Sequence, residues 1–305
     1  MHTGIINFAS RTALNIKSNE VKKEILDEIE NLTHVKIIQK HFERFDKNSF
    51  NKLNSQPHLV SLRTNGNPYY CYLTKYNFIN QCIFIDKKIQ SGYFVPRMII
   101  TKLEFDDDLF ENTLLDGEML KNEKGEWIFI INDIILYKNE YLDKINFLKR
   151  LLIIHNIMNN QFRKDKNDIC HFQIKKYVQY TNIKNLVENI LPKLNYSCRG
   201  IYFKSLYLKF KDILYNFDDS LITTVNKIKY QSDGKFISNK IDVKDIKDIK
   251  VPDLIIDDSP PRLHKHGSNA SLKTSDSGDS NNSYKPNKDF LSSNLFFFSI
   301  IFCSK

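Results

Sequence analysis

The chain of 305 residues holds five cysteines and no C-x-x-C pair among them. Cys71, Cys82, Cys170, Cys198 and Cys303 are scattered, so the spacing argues against both a disulfide framework and a zinc ribbon. It fits small core hydrophobes in a reducing compartment. Eight histidines add no metal-ligand spacing: His264 and His266 sit in a polar tail and the others stand alone. No apolar run reaches the roughly 20 residues that span a bilayer. The most apolar stretch, Leu295-Phe296-Phe297-Phe298-Ser299-Ile300-Ile301-Phe302, falls far short of it. Near the start, Ile5, Ile6 and Phe8 are too few for a secretory signal, and charges follow soon after. The expectation is a cytoplasmic protein with no membrane partner.

What the chain has in plenty is positive charge. The formal net charge of +9 and a pI near 9.1 point to an anionic partner such as nucleic acid, nucleotide or an acidic surface. Lys, Asn and Ile are abundant throughout, a bias typical of AT-rich genomes and a second source of the same charge. The length allows one large domain or two smaller ones, with a substantial core.

Apolar periodicity predicts a helix over residues 18–45, capped by Ser18 or Asn19, with Val21, Ile25, Ile29 and Leu32 near one face. From Pro57 the pattern turns to strands: Tyr69 to Leu73, Gln81 to Ile85, Met98 to Leu103, Asn112 to Leu115 and Trp127 to Leu136. Glu123-Lys124-Gly125-Glu126 reads as a hairpin turn. Helical spacing returns over residues 142–159. A strand at 171–177, a helix at 183–191 closed by Pro192, and a strand at 199–204 follow. Mostly antiparallel strands with interspersed helices make the fold class α+β. The domain reading is an N-terminal helical segment (1–50), a main domain (51–230), an extension (231–257) and a tail (258–305). The Ser/Asn/Asp/Gly/Pro tract of that tail cannot offset its ordering entropy and is expected to be disordered.

Two short motifs carry chemistry. Lys75 ends one predicted strand, and Leu114-Leu115-Asp116-Gly117-Glu118-Met119 supplies an acidic turn in which Gly117 frees the Glu118 carboxylate. Lysine-based nucleotidyl transfer needs an amine to attack the α-phosphate, cations on the phosphates, a carboxylate for a divalent metal and a pocket for the base. The amine must be neutral, so burial and nearby cations must lower its pKa from about 10.4. Asp133, ending the apolar run Trp127–Ile131, is a second candidate carboxylate, and Lys204, Lys209 and Lys211 are candidate phosphate ligands. Taken singly each has a plain structural reading. Leu-Asp-Gly-Glu occurs in ordinary hairpins, and Lys209 and Lys211 fit the solvent face of a strand.

Taken in order, these segments resemble the nucleotidyltransferase domain of mRNA-capping guanylyltransferases, in the superfamily that includes ATP- and NAD-dependent ligases. Ser55 to Leu62 is similar to the Gln-Pro-Val-Ser segment that precedes the capping nucleophile. Tyr69 to Phe78 resembles the strand carrying Lys-x-Asp-Gly, and Leu114 to Met119 matches the Asp-Gly-Glu motif. Ile128 to Ile135 is similar to the apolar strand ending in Phe-Asp, and Gly200 to Lys204 resembles the later Glu-Gly strand that ends in Phe-Lys. The likeness covers roughly residues 50–215 and is greatest to versions found in large DNA viruses, where a viral protein would work in the host cytoplasm. Departures are Asn77, Phe78 and Asn80 in place of Asp, Gly and Arg, Asn132 in place of an aromatic, and Arg199 in place of an acid. Leu208-Lys209-Phe210-Lys211 is an early near match to Lys-Trp-Lys.

The resemblance implies an α+β nucleotidyltransferase (ATP-grasp-like) fold of mostly antiparallel sheets with flanking helices, and no complete oligonucleotide-binding (OB) domain. It implies Lys75 as the catalytic nucleophile, Asn77, Glu118, Lys204, Lys209 and Lys211 as nucleotide ligands, and Glu118 and Asp133 as ligands of Mg2+ or Mn2+. The implied reaction passes GMP from GTP through a lysyl-GMP intermediate to an RNA 5′ end, with other capping subunits as possible partners. Two alternatives stand beside it: a catalytically inactive relative that binds nucleotide, cap or RNA or scaffolds a capping complex, and a polynucleotide ligase.

Overall fold

The computed structural model describes residues 1–218 apart from 35, 37–41 and 47; the expected extension (231–257) and tail (258–305) lie outside the described residues. All the described residues belong to one compact unit. The chain opens with a hairpin, β1 (Thr3–Phe8) and β2 (Arg11–Ile16), turned by Ala9 and Ser10, both at positive φ. Helix α1 (Asn19–Thr33) follows, its start capped by the Ser18 hydroxyl, which accepts from the Val21 amide. Residues 1–50 are therefore not a helical segment, and the helix expected to reach residue 45 ends at Thr33. His34, left-handed at φ 55°, closes it, and Phe42–Arg44 within the expected span form strand β3.

After the short helix α2 (Ser49–Ser55), β4 (His58–Thr64) leads into β5 (Asn67–Tyr76), β6 (Ile79–Asp86), β7 (Met98–Thr101) and β8 (Glu104–Phe105). Then come β9 (Thr113–Lys121), β10 (Trp127–Tyr137), β11 (Glu140–Tyr141) and helix α3 (Phe147–Asn156), shorter than the periodicity suggested. The chain continues through β12 (Phe162–Arg163), β13 (His171–Ile174), β14 (Val178–Gln179), helical turns at 180–193, β15 (Cys198–Ser205) and β16 (Asp212–Asn216). The expected Glu123–Glu126 turn is present, with Gly125 at φ 79°.

The large sheet runs β1-β2-β7-β6-β5-β9-β10-β11, with β13 parallel beside β10; the smaller runs β14-β4-β15-β16-β3. The result is a mixed α+β architecture dominated by strands, as the sequence reading expected. β5 shows why the central strands read as unbroken apolar runs. Tyr69, Cys71 and Leu73 pack into the main core with Phe84, Phe129 and the α3 residues Phe147, Leu151 and Ile154. Tyr70 and Tyr72 point the other way, onto Ile16, Ile25 and Ile29 under α1. Only Asn65 and Gly66 separate β4 in the smaller sheet from β5 in the larger, so this two-residue link sits where the sheets meet.

Candidate functional site

Strand pairing decides the fate of the expected lysine–carboxylate cleft. β5 and β9 are antiparallel in one unbroken register, with Pro68 opposite Glu118 and Leu73 opposite Thr113. Paired residues share a face and neighbours alternate, so Lys75 lies on the face of Leu73 and Thr113, whereas Glu118 lies on the opposite face with Asp116. Lys75 is also seven residues beyond Pro68, about 23 Å along the strand at roughly 3.3 Å per residue. Its amine pairs with Glu111 at 2.7 Å on the surface. The expected convergence of Lys75 and Glu118 does not occur. Asn77 and Phe78 form the tip of the β5–β6 hairpin at φ 50° and 63°, and Phe78 is fully exposed, so neither reaches a nucleotide pocket. Asp116-Gly117-Glu118 is not a turn but the middle of β9. Gly117 is small because a Cβ there would stand 2.4 Å from the Phe129 ring and 2.6 Å from the Ile130 carbonyl oxygen.

Glu118 instead faces the smaller sheet. Thr64, the last residue of β4, donates its hydroxyl to Oε2, and Lys175 Nζ sits 3.0 Å from Oε1. Asn132 Nδ2 is 3.4 Å from Oε1, aimed there by a bulge that makes Asn132 the extra residue between Ile131 and Asp133. Burial pushes the Glu118 carboxyl up, but Lys175 and the donated hydrogen bonds prevail and hold it below the usual carboxylate range. A Cβ on Gly66 would lie 2.9 Å from Glu118 Cβ, so the β4–β5 link passes directly against this carboxylate.

That link reveals what a search for lysine misses. Arg63-Thr64-Asn65-Gly66 has the residue order of Lys-x-Asp-Gly, with guanidinium for amine and amide for carboxylate. It follows Ser55–Leu62 without a gap, and that was the signal available in the sequence. Arg63 occupies the cleft face of β4 opposite Gly200, and its Nη1 donates to the Asn216 side chain.

Among the described residues between the two larger sheets, Asp116, Asp133 and Asp212 each have an internal cation. Asp133 takes a two-pronged contact from the fully buried Arg150 (Nε 2.8 Å, Nη2 3.0 Å) and an ion pair from Lys204 at 2.8 Å. Lys204 also holds Asp212 at 3.0 Å, and the Tyr202 hydroxyl donates to the same Asp212 oxygen. Burial opposes the charge on both Asp133 and Lys204. Mutual attraction wins, lowering the carboxyl and, with Asp212, raising the amine. Asp116 pairs with Lys87 at 2.7 Å, and that ammonium lies over the Tyr70 ring. Lys87 and Lys175 both escaped the sequence reading, since a lone lysine carries no signal in so lysine-rich a chain. Lys209 and Lys211 stand exposed in the β15–β16 connection, past the Ser205 end of β15 and away from Glu118.

The residues expected to hold a divalent metal do not fit one. Both oxygens of Glu118 and both of Asp133 are engaged by Lys175, Thr64, Arg150 and Lys204. Arg199 replaces the acid before Gly200. Among the described residues no group of three or more acidic, His or Cys side chains is placed to hold an ion.

Among the described residues no helix is long and apolar enough to cross a membrane. A comparison with curated proteins gives no match. Residues 19–222, more than half of the chain, match the family described as the mRNA capping enzyme, catalytic domain, and the chain belongs to that family.

Proposed function

We propose that this protein is a member of the capping nucleotidyltransferase family that holds a nucleotide or phosphorylated RNA 5′ end between its two sheets without forming a lysyl-nucleotide bond. The observation that carries the reading is Arg63. The side chain in the first position of the Arg63-Thr64-Asn65-Gly66 segment, beside Glu118, is a guanidinium that stays protonated at any physiological pH and cannot attack phosphorus. Lys75 faces away, and the lysines of the cleft, Lys87, Lys175 and Lys204, are each bound to a carboxylate. Such ammonium groups neutralise phosphate and serve poorly as nucleophiles. The finer fold assignment, to the two-sheet nucleotidyltransferase fold shared with ligases, rests on the family match and on Glu118 meeting the end of β4.

Labelling tests the reading. Incubation with α-labelled GTP and Mg2+ or Mn2+ should leave no alkali-stable label on the denatured protein, while equilibrium binding of GTP or triphosphorylated RNA persists. A labelled peptide containing Lys175, Lys75 or any other lysine would overturn it. Label from ATP alone would instead favour the ligase reading.

A further inference from the structure

The acids and bases of the cleft cancel until the mouth is reached. Asp116, Glu118, Asp133 and Asp212 are matched by Lys87, Lys175, Arg150 and Lys204. Among the described residues at the mouth, three arginines stand outside these pairs: Arg44, Arg63 and Arg199. Among the described residues, no carboxylate lies within ion-pair distance of any of them, and Arg63 is hydrogen-bonded to the neutral Asn216.

Their position follows from the register of the smaller sheet. Arg63 is opposite Gly200, which is opposite Asn216, so one row of residues crosses three strands. Arg44 is opposite Leu214 on the neighbouring β3, and Leu214 is opposite Tyr202, on the same cleft face as Ser61 and Arg63. Arg199 is the extra residue of the bulge between Cys198 and Gly200, pushed out of the ladder beside Arg63. Gly200 permits this crowding, because a Cβ there would stand 2.0 Å from the Tyr215 carbonyl oxygen. Burial and the charges of Arg199 and Arg44 all work against the positive charge of Arg63, with Glu118 opposing them. Like charges held together, with the one nearby carboxylate, Glu118, already paired to Lys175, favour the arrival of an anion.

We infer that Arg44, Arg63 and Arg199 form a 5′-polyphosphate grip at the mouth of the cleft that works without a divalent cation. The inference rests on the binding reading above and deepens it. Guanidinium groups present paired donors that match phosphate oxygens, so three of them neutralise a triphosphate where a metal with carboxylate ligands otherwise would. Arg199, standing where the family pattern has an acid, turns a negative charge at the mouth into a guanidinium that can donate to phosphate.

The test uses the full chain and a short fluorescent RNA carrying either a 5′-triphosphate or a 5′-hydroxyl, with GTP as competitor to separate free nucleotide from an RNA end. In EDTA the triphosphate form should bind about tenfold tighter or more, the size expected for charge-assisted hydrogen bonds, and adding Mg2+ should not strengthen it. Arg44→Glu and Arg199→Glu, both at exposed positions that spare the core, should each erase most of that preference. Three outcomes would overturn the grip: no triphosphate preference, one that appears only with Mg2+, or one that survives both substitutions. Covalent labelling of a lysine would sink the binding reading and leave the arginine result standing, so the two failures are distinguishable.

Discussion

Thr64 donates its hydroxyl to the carboxylate of Glu118, tying the end of β4 in one sheet to the middle of β9 in the other. The contact requires the chain between them to pass very close, and Gly66 and Gly117 provide the room. Alanine at 117 would drive its methyl group into Phe129 and the backbone of β10, where nothing can give. Overpacking of this kind costs about 1–3 kcal/mol, so Gly117→Ala should lower the thermal midpoint. Gly66→Ala should act differently, displacing Glu118 from Thr64 and weakening triphosphate binding more than it weakens the fold. Calorimetric melts and binding measured side by side on both variants check the contrast. Equal melting points for Gly117→Ala and the parent would contradict it.

Asp133 is buried between Arg150 and Lys204, and its removal strands a guanidinium that has no access to water. Breaking such a pair on one side costs about 3–5 kcal/mol, and Asp133→Asn should shift the urea midpoint accordingly. The pH dependence has a fixed sign. The Asp133 and Glu118 carboxyls are held below their ordinary values, so their contribution is complete above the unfolded value of about 4 and is lost as pH falls through the lower folded values. Their share of the stability should be level from neutrality to about pH 5 and fall below about pH 4, with a shallower acid fall in Asp133→Asn. His58 and His155, which burial holds below the usual imidazole range, add a separate loss that begins as pH falls through about 6.5. An acid limb of unchanged slope in the variant would show that Asp133 is not one of the groups responsible.

The sheets were legible because burial on both faces writes itself into composition: Tyr69–Leu73, Gln81–Ile85 and Trp127–Leu136 all lie within observed strands. The hairpin of residues 3–16 was not, since Ile5 and Leu14 are exposed and its alternation is weak. The helix was overextended because charged residues between apolar ones look alike before and after His34. At the site, Glu118, Asp133 and Lys204 are charged groups the sequence singles out, and the structure occupies the two carboxylates with cations where the sequence reading expects a metal. Spacing in sequence does not reveal that Arg150 and Lys175 come from distant elements to neutralise them. Lys75 was chosen because it is a lysine on a strand, and only the parity of the β5–β9 register shows which face it takes. Arg63 was missed because a changed residue does not match a literal motif, although its place immediately after Leu62 marked it.

Lys75→Ala therefore serves as a control. Its ion pair with Glu111 is exposed, and such pairs contribute about 0–1 kcal/mol. Neither stability nor affinity for triphosphorylated RNA should change beyond that. A large loss of binding in Lys75→Ala would mean that the ligand lies on the face of the Lys75–Glu111 pair and not between the sheets.

If Arg63, Asn65 and Arg199 together account for the missing chemistry, reversing them should supply it. Arg63→Lys would place an amine beside Glu118, where burial and the Arg44 charge favour its neutral form against the pull of Glu118. Asn65→Asp would return the acid of the Lys-x-Asp-Gly pattern, and Arg199→Glu would return a carboxylate before Gly200. The triple variant should then bind triphosphate in a divalent-cation-dependent manner and take alkali-stable, acid-labile label from GTP on residue 63, mapped by mass spectrometry. The same substitutions without Arg63→Lys should take none. Stable folding of the triple variant with metal-dependent binding and no label at residue 63 would show that the loss runs deeper than these positions. The ion pairs of Lys175 with Glu118 and of Lys204 with Asp133 would then be the next obstacle, since both carboxylates that would hold a metal are already engaged by ammonium groups.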